Sequence, residues 1–244
     1  MNVFTAAVLS VLCCGPEVPD MDRGFLFRSV AIGGEEIRYA AYVPRGYARD
    51  GEDKWPLVVF LNGKGECGRD GQKQLAVGLA PAVNFNADRW PCVIIFAQKP
   101  DAEKAWEEYD GAVMAMIAAA EKEWRIDVDR EYLTGLSQGG HGTWAIAALH
   151  PEKFAAIAPV CGYGDPAQVA PRVAGMPVWA FHGAADSVVP AEQSEKMVAA
   201  VRAAGGAAER VKLAIYPGVN HNSWDRAYGD AALPAWLLAQ RRGK

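Results

Sequence analysis

The sequence predicts an α/β protein with a mostly parallel central sheet flanked by helices. Short, continuous apolar runs recur along the chain, which is typical of strands that are buried on both faces. Ala-rich helical patterns lie between these runs, and such alternation predicts βαβ units. The chain has 244 residues, so a single domain spanning residues 24–244 is long enough to bury a full core.

The predicted elements follow one another in order along the chain. Residues 27–42 predict a β-hairpin, because Gly33-Gly34 separates two stretches of alternating pattern. Six apolar runs then predict strands at residues 56–61, 92–96, 132–136, 155–160, 178–181 and 211–216. Helices are expected at residues 110–124, 140–149, 191–204 and 231–241. Active sites of parallel sheets lie at the carboxyl ends of strands, so functional residues are expected in the loops that follow them.

The first residues of the chain have the character of an export signal. The stretch from Val3 to Cys14 is almost entirely apolar or small, and Gly15 and Pro16 interrupt it. Residues 1–15 are therefore a possible signal peptide, which predicts a secreted or periplasmic protein. The first basic residue is only Arg23, so a cytoplasmic protein with an apolar N-terminal segment is the alternative.

Charge and cysteine content exclude several classes of partner. The net charge is -4 and no basic run occurs, which argues against nucleic acid or an anionic membrane as the main partner. No apolar stretch reaches the roughly 18 residues of a membrane-spanning helix. Cys67, Cys92 and Cys161 show neither a disulfide framework nor zinc spacing, although one bridge among them is possible. Cys92 precedes an apolar run and is predicted to be a buried thiol.

A G-x-S-x-G motif contains the candidate nucleophile, Ser137. The motif, Gly135-Leu136-Ser137-Gln138-Gly139, follows a strand pattern and precedes a helical one, which is the context that a nucleophile elbow requires. Small flanking residues let strand and helix approach closely, and the turn exposes the hydroxyl. The helix start also offers N–H groups and partial positive charge to a developing anion. A capping serine in a tight turn is the alternative.

Among the four histidines, His221 is placed to activate Ser137. It follows the last predicted strand, where the chain order serine, acid, histidine puts the base. His141 lies in the helix after the motif, and His150 ends that helix. His182 ends a strand and is expected to brace the loop that follows.

The acid must lie between Ser137 and His221 and follow a strand. Asp186 meets both conditions and would hold the imidazole in the required tautomer. Asp165, in the loop after the preceding strand, is the competitor. A helix cap before Pro190 is the alternative role for Asp186.

The loop after residues 56–61 predicts part of an oxyanion hole. The backbone N–H groups of Lys64 and Gln138 are the candidate donors. The spacing Gly63-x-Gly65-x-x-Gly68 also matches a dinucleotide-binding motif. Polar residues of low helix propensity follow it, however, and no strand ending in an acidic residue lies about 20 residues further on. We therefore expect no nucleotide cofactor.

Four stretches together resemble a known group of enzymes. They are LNGKGE at 61–66, GLSQGG at 135–140, WAFHGAAD at 179–186 and HNSWD at 221–225. Over about residues 27 to 242, the chain resembles small bacterial α/β-hydrolases of the predicted-peptidase, carboxylesterase and polyhydroxybutyrate-depolymerase-like or feruloyl-esterase-like kind. The resemblance implies an α/β-hydrolase fold with nucleophile Ser137, acid Asp186 and base His221, and oxyanion donors near Lys64 and Gln138. The family usually has His where this chain has Asn62.

The substrate cleft is expected to be open. The intervals 160–177 and 96–110 are too short for a lid domain, which suits small esters or bulky esters displayed on polymers. Trp106 and Trp224 are expected to form an apolar wall, with core packing as the alternative. Glu66 and Arg69 are expected to bind a polar group of the substrate or to pair with each other.

The sequence thus predicts a serine carboxylic-ester hydrolase that acts through an acyl-enzyme and requires no cofactor or metal. A serine peptidase or amidase with the same machinery is one alternative. A catalytically inactive hydrolase fold that serves as a binding protein is the other.

Overall fold

The computed structural model describes residues 23–243. In this part of the chain an eight-stranded sheet has the order β1-β2-β4-β3-β5-β6-β7-β8. The strands are β1 (Gly24–Ile32), β2 (Glu35–Val43), β3 (Trp55–Leu61), β4 (Val93–Ala97), β5 (Ile126–Leu136), β6 (Ala156–Val160), β7 (Val178–Gly183) and β8 (Val211–Tyr216). Strands β3 to β8 are mutually parallel where they pair. The possible signal peptide, residues 1–15, lies outside the described residues.

Helices cover both faces of this sheet. They are α1 (Leu79–Phe85), α2 (Asp110–Glu123), α3 (Gln138–Leu149), α4 (Pro166–Val173), α5 (Glu192–Ala203), α6 (Trp224–Gly229) and α7 (Ala232–Ala239). Neighbouring strand residues point to opposite faces. Val59 therefore packs in one core with α2, α4 and α5, and Phe60 packs in the other with α1, α6 and α7. The predicted α/β class with a mostly parallel sheet is confirmed.

The N-terminal hairpin is also confirmed, and it is longer than predicted. Gly33 and Gly34 both have positive φ, 60° and 84°, which is the requirement of a type I′ turn. The turn joins Ile32 to Glu35, and the hairpin is antiparallel over its whole length. Strand β2 also pairs antiparallel with β4, so the hairpin extends one edge of the parallel sheet.

The four predicted helices are present, with ends shifted by at most two residues. Three short helices, α1, α4 and α6, were not predicted. Helix α4 begins at Pro166 and contains Pro171, which lowers its helix propensity, and its eight residues give little periodicity to detect. Helix α6 has only six residues. Such helices form because packing against the sheet stabilises them.

The connections between the core strands are short. Helix α4 is the only helix between β6 and β7, so residues 161–177 hold no lid domain. Across residues 23–243, every helix is too short or too polar to cross a membrane.

Candidate active site

Ser137 lies at the sharp turn between β5 and α3. Its backbone has φ 56° and ψ −116°, a region that residues other than glycine rarely adopt. Such a conformation costs about 1–3 kcal/mol and persists only where the surrounding structure enforces it. The turn places the serine at the N-terminus of α3, as the motif predicts.

Glycines on both sides of Ser137 permit this turn. A Cβ added at Gly135 would lie 2.4 Å from the carbonyl oxygen of Gly139. A Cβ added at Gly139 would lie 2.0 Å from the carbonyl oxygen of Leu61. Both approaches are to backbone atoms and leave no room for a side chain, so the spacing of the motif follows from the packing of α3 onto β3 and β5.

The structure brings Ser137, His221 and Asp186 together at the carboxyl edge of the sheet. The Oγ of Ser137 lies 3.0 Å from Nε2 of His221, and Nδ1 of His221 lies 2.8 Å from Oδ2 of Asp186. A carboxylate only accepts hydrogen bonds, so Nδ1 carries the hydrogen and Nε2 is free to accept from the hydroxyl. A histidine that activates a serine requires contacts of this kind.

Asp186 also closes its own loop. Its Oδ1 accepts hydrogen bonds of 2.9 Å from the amides of Val188 and Val189. Burial raises the pKa of the Asp186 carboxyl, but the hydrogen bonds from His221 and from these two amides outweigh burial and lower the pKa below its ordinary value. The carboxylate therefore serves as a turn cap through one oxygen and as a histidine partner through the other.

The competing residues have other partners. Asp165 accepts a hydrogen bond from the amide of Ala167 and caps α4. The Nε2 of His150 lies 2.8 Å from Asp110. Both residues thus bind partners outside the chain of hydrogen bonds that joins Ser137, His221 and Asp186.

Asn62 anchors the loop that follows β3. Its Oδ1 accepts from the amide of Lys99 at 2.8 Å, and its Nδ2 donates to the carbonyl of Gly63 at 2.6 Å. The backbone carbonyl of Asn62 accepts from Nε1 of Trp106 at 3.2 Å. A donor and an acceptor on one short side chain thus hold this loop.

The two predicted oxyanion donors occupy equivalent positions. Gln138 is the first residue of α3, and Lys64 is the first residue of a three-residue 3-10 turn, Lys64–Glu66. The N–H groups of such positions have no partner within their own helix, so they are available to a ligand. The same short turn disfavours a dinucleotide site, which requires a full helix N-terminus after the glycines.

The two tryptophans predicted to line the cleft differ in their placement. Trp224 is half-buried, and its ring meets the ring of His221 edge-on, with centroids 5.5 Å apart. Trp106 is only 2% exposed and belongs to the core. A Cβ at Gly142 would lie 2.5 Å from its ring. The prediction of a cleft wall is thus corrected for Trp106, because the missing side chain of Gly142 lets the indole pack beneath the site.

The alternative role for Glu66 and Arg69, an ion pair between them, is not the contact that Arg69 forms. Arg69 forms its ion pair with Glu35 on the hairpin. The carboxylate of Glu66 accepts from backbone amides of its own loop, including Gly63, although burial still raises the pKa of Glu66. Glu66 therefore stabilises the loop that carries Lys64, and its binding to a substrate stays a prediction.

One buried thiol lies against the candidate triad. Cys161, Asp186 and His221 place possible metal ligands within 4.8 Å of one another. Burial raises the pKa of the Cys161 thiol to about 12, and a protonated thiol is a poor metal ligand. The donor set suits a hydrogen-bonded triad better than a metal centre. Cys67, Cys92 and Cys161 are all free thiols, and Cys92 is buried as predicted.

His141 makes contacts that the sequence did not indicate. Its ring stacks on Tyr163 with centroids 4.7 Å apart. Its Nδ1 faces the Tyr163 carbonyl at 3.1 Å, and its Nε2 faces the carboxylate of Glu107 at 3.0 Å. Burial lowers the pKa of His141, but Glu107 outweighs burial and raises it. No sequence pattern connects residues 34 positions apart, so only the structure could find this pair.

The fold and the site together define the class of protein. A sheet of this strand order, with a serine on the sharp turn after β5 and a histidine after β8, is an α/β-hydrolase fold. The chain belongs to the Dienelactone hydrolase family, which it matches over residues 38–232. The resemblance to carboxylesterase-like α/β-hydrolases is thereby confirmed.

Two bacterial proteins are similar in sequence. NocK of Nocardia uniformis subsp. tsuyamanensis, by its name a candidate esterase, is 29% identical over 185 residues, which are 70% of this chain and 52% of that protein. A candidate carboxymethylenebutenolidase of Escherichia coli O157:H7 is 34% identical over 107 residues, covering 39% of this chain and 37% of that protein. The chain thus spans about half the length of NocK and little more than a third of the length of the second relative.

Solved structures show the same fold. A thermostable esterase has a TM-score of 0.75 and 33% sequence identity, over 89% of this chain and 63% of that one. A variant of the feruloyl esterase module of Clostridium thermocellum, complexed with sinapinate, has a TM-score of 0.69 and 15% identity over 86% of each chain. At that identity the likeness shows the fold alone.

Proposed function

We propose that this protein is a serine carboxylic-ester hydrolase with Ser137 as its nucleophile. The observation that carries the proposal is the chain of short contacts from Ser137 Oγ to His221 to Asp186, with spacings of 3.0 Å and 2.8 Å. Family membership and the esterase among the similar solved structures support it.

In the proposed acylation step, the Oγ of Ser137 attacks the ester carbonyl while Nε2 of His221 takes its proton. The oxyanion that forms is stabilised by the N–H groups of Lys64 and Gln138, and the imidazolium by Asp186. The tetrahedral intermediate collapses when the carbon–oxygen bond to the alcohol breaks. His221 returns its proton to that oxygen, which leaves an acyl group on Ser137.

In the proposed deacylation step, His221 takes a proton from water, and the hydroxide attacks the acyl carbon. The bond to Ser137 breaks, Oγ recovers the proton, and the carboxylic acid departs. Every group used belongs to the chain or to water.

The shape and the walls of the site support a proposal for the substrate class. No lid domain separates β6 from β7, and Trp224 offers an aromatic surface beside His221. Val188, next to the Asp186 loop, is 65% exposed. We propose that the cleft takes small esters or esters displayed on a polymer, with their apolar part against these side chains.

The decisive experiment combines hydrolysis of a short p-nitrophenyl ester with fluorophosphonate labelling, on wild type and Ser137→Ala. Loss of the nucleophile should lower kcat by about 10⁵–10⁶-fold and abolish labelling. The matched control is Ser29→Ala, because Ser29 lies on the edge strand β1, away from the site. This control should label and turn over like wild type.

Other outcomes identify the alternatives. Labelling that persists in Ser137→Ala would place the nucleophile elsewhere. A folded wild type that neither labels nor turns over favours the inactive binding protein. A matched amide cleaved faster than the ester would favour the amidase or peptidase alternative, which uses the same residues.

A further inference from the structure

A second imidazole contacts the carboxylate of Asp186. His182, near the end of β7, has a side chain that is 0% exposed, and its Nε2 lies 3.2 Å from Oδ2 of Asp186. The same oxygen accepts from Nδ1 of His221. Oδ2 of Asp186 is thus in contact with two imidazoles, and the mechanism above uses only one of them.

The partners of His182 assign its hydrogen. Its Nε2 is hydrogen-bonded to the carbonyl oxygen of Val189 at 2.9 Å. A carbonyl and an ionised carboxylate are both acceptors, so Nε2 carries the hydrogen. Its Nδ1 lies 2.7 Å from Oγ of Ser194 on α5.

Ser194 determines the state of the other ring nitrogen. The hydroxyl of Ser194 has a second acceptor, the carbonyl of Gly162, but at 3.4 Å. The much shorter contact to Nδ1 assigns the hydroxyl hydrogen to His182. His182 is therefore a neutral imidazole that donates from Nε2 and accepts at Nδ1.

This arrangement acts on both oxygens of Asp186. The hydrogen bond from His182 holds the carbonyl of Val189, whose own amide donates to Oδ1 of Asp186. The same N–H group lies beside Oδ2. Rotation of the carboxylate would lose contacts at both oxygens, so His182 opposes rotation that would take Oδ2 away from His221.

We propose that His182, oriented by Ser194, is a positioning residue that keeps Oδ2 of Asp186 directed at Nδ1 of His221. The proposal rests on the proposed function. A neutral donor suits this role, because it stabilises the carboxylate without adding a net positive charge that would repel the imidazolium formed on His221 during catalysis.

Two amide variants separate the roles of the two ring nitrogens. The amide nitrogen of His182→Gln reaches the position of Nε2 and still donates towards Val189 and Asp186, whereas that of His182→Asn reaches only the position of Nδ1. With kcat normalised to sites titrated by fluorophosphonate, Gln should stay within about threefold of wild type and Asn should fall about 10–100-fold, with KM unchanged.

A third variant tests the contribution of Ser194. Ser194→Ala removes the hydroxyl that donates to Nδ1 and orients the ring, so kcat per titrated site should fall about 3–10-fold. Val198→Ala on the same helix is the control, because Val198 is equally buried and has an aliphatic side chain that makes no hydrogen bond. It should lower the melting temperature without changing kcat per titrated site.

The tautomer has a readout that is independent of activity. Long-range ¹H–¹⁵N spectra of histidine-labelled protein at pH 7 should show His182 as the neutral Nε2–H form in wild type. In Ser194→Ala the hydrogen should stay on Nε2, which faces two acceptors, and the ¹⁵N signal of Nδ1 should shift because this nitrogen loses the hydrogen bond from Ser194.

Results of the opposite kind would overturn the proposal. Equal losses of kcat in the Gln and Asn variants, or a wild-type His182 in the Nδ1–H or doubly protonated form, would each contradict it. A wild type that fails to hydrolyse esters refutes the proposed function. The spectra still decide whether Nε2 of His182 carries the hydrogen and whether Ser194 donates to Nδ1.

Discussion

Two buried carboxylates in this molecule behave in opposite ways. Asp186 follows the carboxyl end of β7, and Glu131 lies in β5 on the side where β6 begins. Both side chains are 0% exposed. The pKa of Asp186 is lowered from its ordinary value, whereas the pKa of Glu131 is raised to about 7.

The difference arises from the partners of each carboxylate. Burial raises the pKa of Glu131, and the nearby carboxylate of Glu121 adds to the effect. Lys153, 2.7 Å from Oε2 of Glu131, only partly offsets burial and is shared with Glu121. Asp186 instead accepts hydrogen bonds from two backbone amides and from His221, and these lower its pKa. Burial alone thus predicts neither the charge nor the role of a carboxylate, and fixed donors decide both.

The largest expected effect comes from one isosteric change made at each carboxylate. Asp186→Asn replaces the acceptor of His221 with an amide and favours the wrong tautomer of the imidazole. We expect kcat to fall by about 10³–10⁴-fold. Steady-state hydrolysis of a p-nitrophenyl ester measures this loss.

Glu131→Gln is the matched control. It makes the same chemical change at an equally buried site towards the opposite end of the strands, and it should leave kcat unchanged. A loss of kcat in Glu131→Gln similar to that in Asp186→Asn would show that buried charge in general, rather than the contact with His221, supports activity.

The second effect is on stability and has opposite signs at the two sites. Because the folded pKa of Glu131 lies above its ordinary value of 4.5, its contribution to stability is complete below pH 4.5 and is lost as the pH rises through about 7. For Asp186, the contribution is present above its ordinary pKa and is lost as the pH falls through the lowered folded pKa.

Glu131→Gln removes this titration. Relative to wild type, the variant should gain on the order of 2 kcal/mol of unfolding free energy between pH 5 and pH 8. Urea denaturation at several pH values measures the difference. A difference that is independent of pH would contradict the raised pKa of Glu131.

The sequence predicted Asp186 but not the network around it. Strand order and the loop after β7 point to Asp186, since triad order and position are local features of the chain. The contact between His182 and Ser194 joins β7 to α5. From the sequence we expected only that His182 braces the loop that follows it.

Other residues show where local patterns fail. Trp106 was expected in the cleft. Its burial depends on Gly142, which is distant in the chain and has no side chain, so that the indole packs directly against α3. Arg69 was expected to bind a substrate or to pair with Glu66, and its ion pair is with Glu35 of the hairpin. These contacts depend on which elements pack together, and periodicity predicts the elements rather than their side-chain partners.

A third carboxylate extends the comparison to a solvent-exposed position. Glu107 also contacts an imidazole, that of His141, but its side chain is 38% exposed. The hydrogen bond from His141 lowers the pKa of Glu107, and Glu107 in turn raises the pKa of His141. This pair differs from Asp186 and His221 chiefly in its access to water, and solvent weakens the attraction between Glu107 and His141.

The smallest predicted effect is therefore that of Glu107→Gln. The contribution of His141 is complete below its ordinary pKa of 6.5 and is lost as the pH rises through its raised value, and that of Glu107 is present above 4.5. Urea denaturation at pH 6 should show a cost below about 1 kcal/mol, which vanishes near pH 9. Glu108→Gln, beside it but paired with Lys104, should show no such change between the two pH values. If Glu107→Gln costs as much at pH 9 as at pH 6, the charge on His141 does not stabilise this pair. Solvent would then have removed the attraction between carboxylate and imidazole that the buried Asp186 keeps.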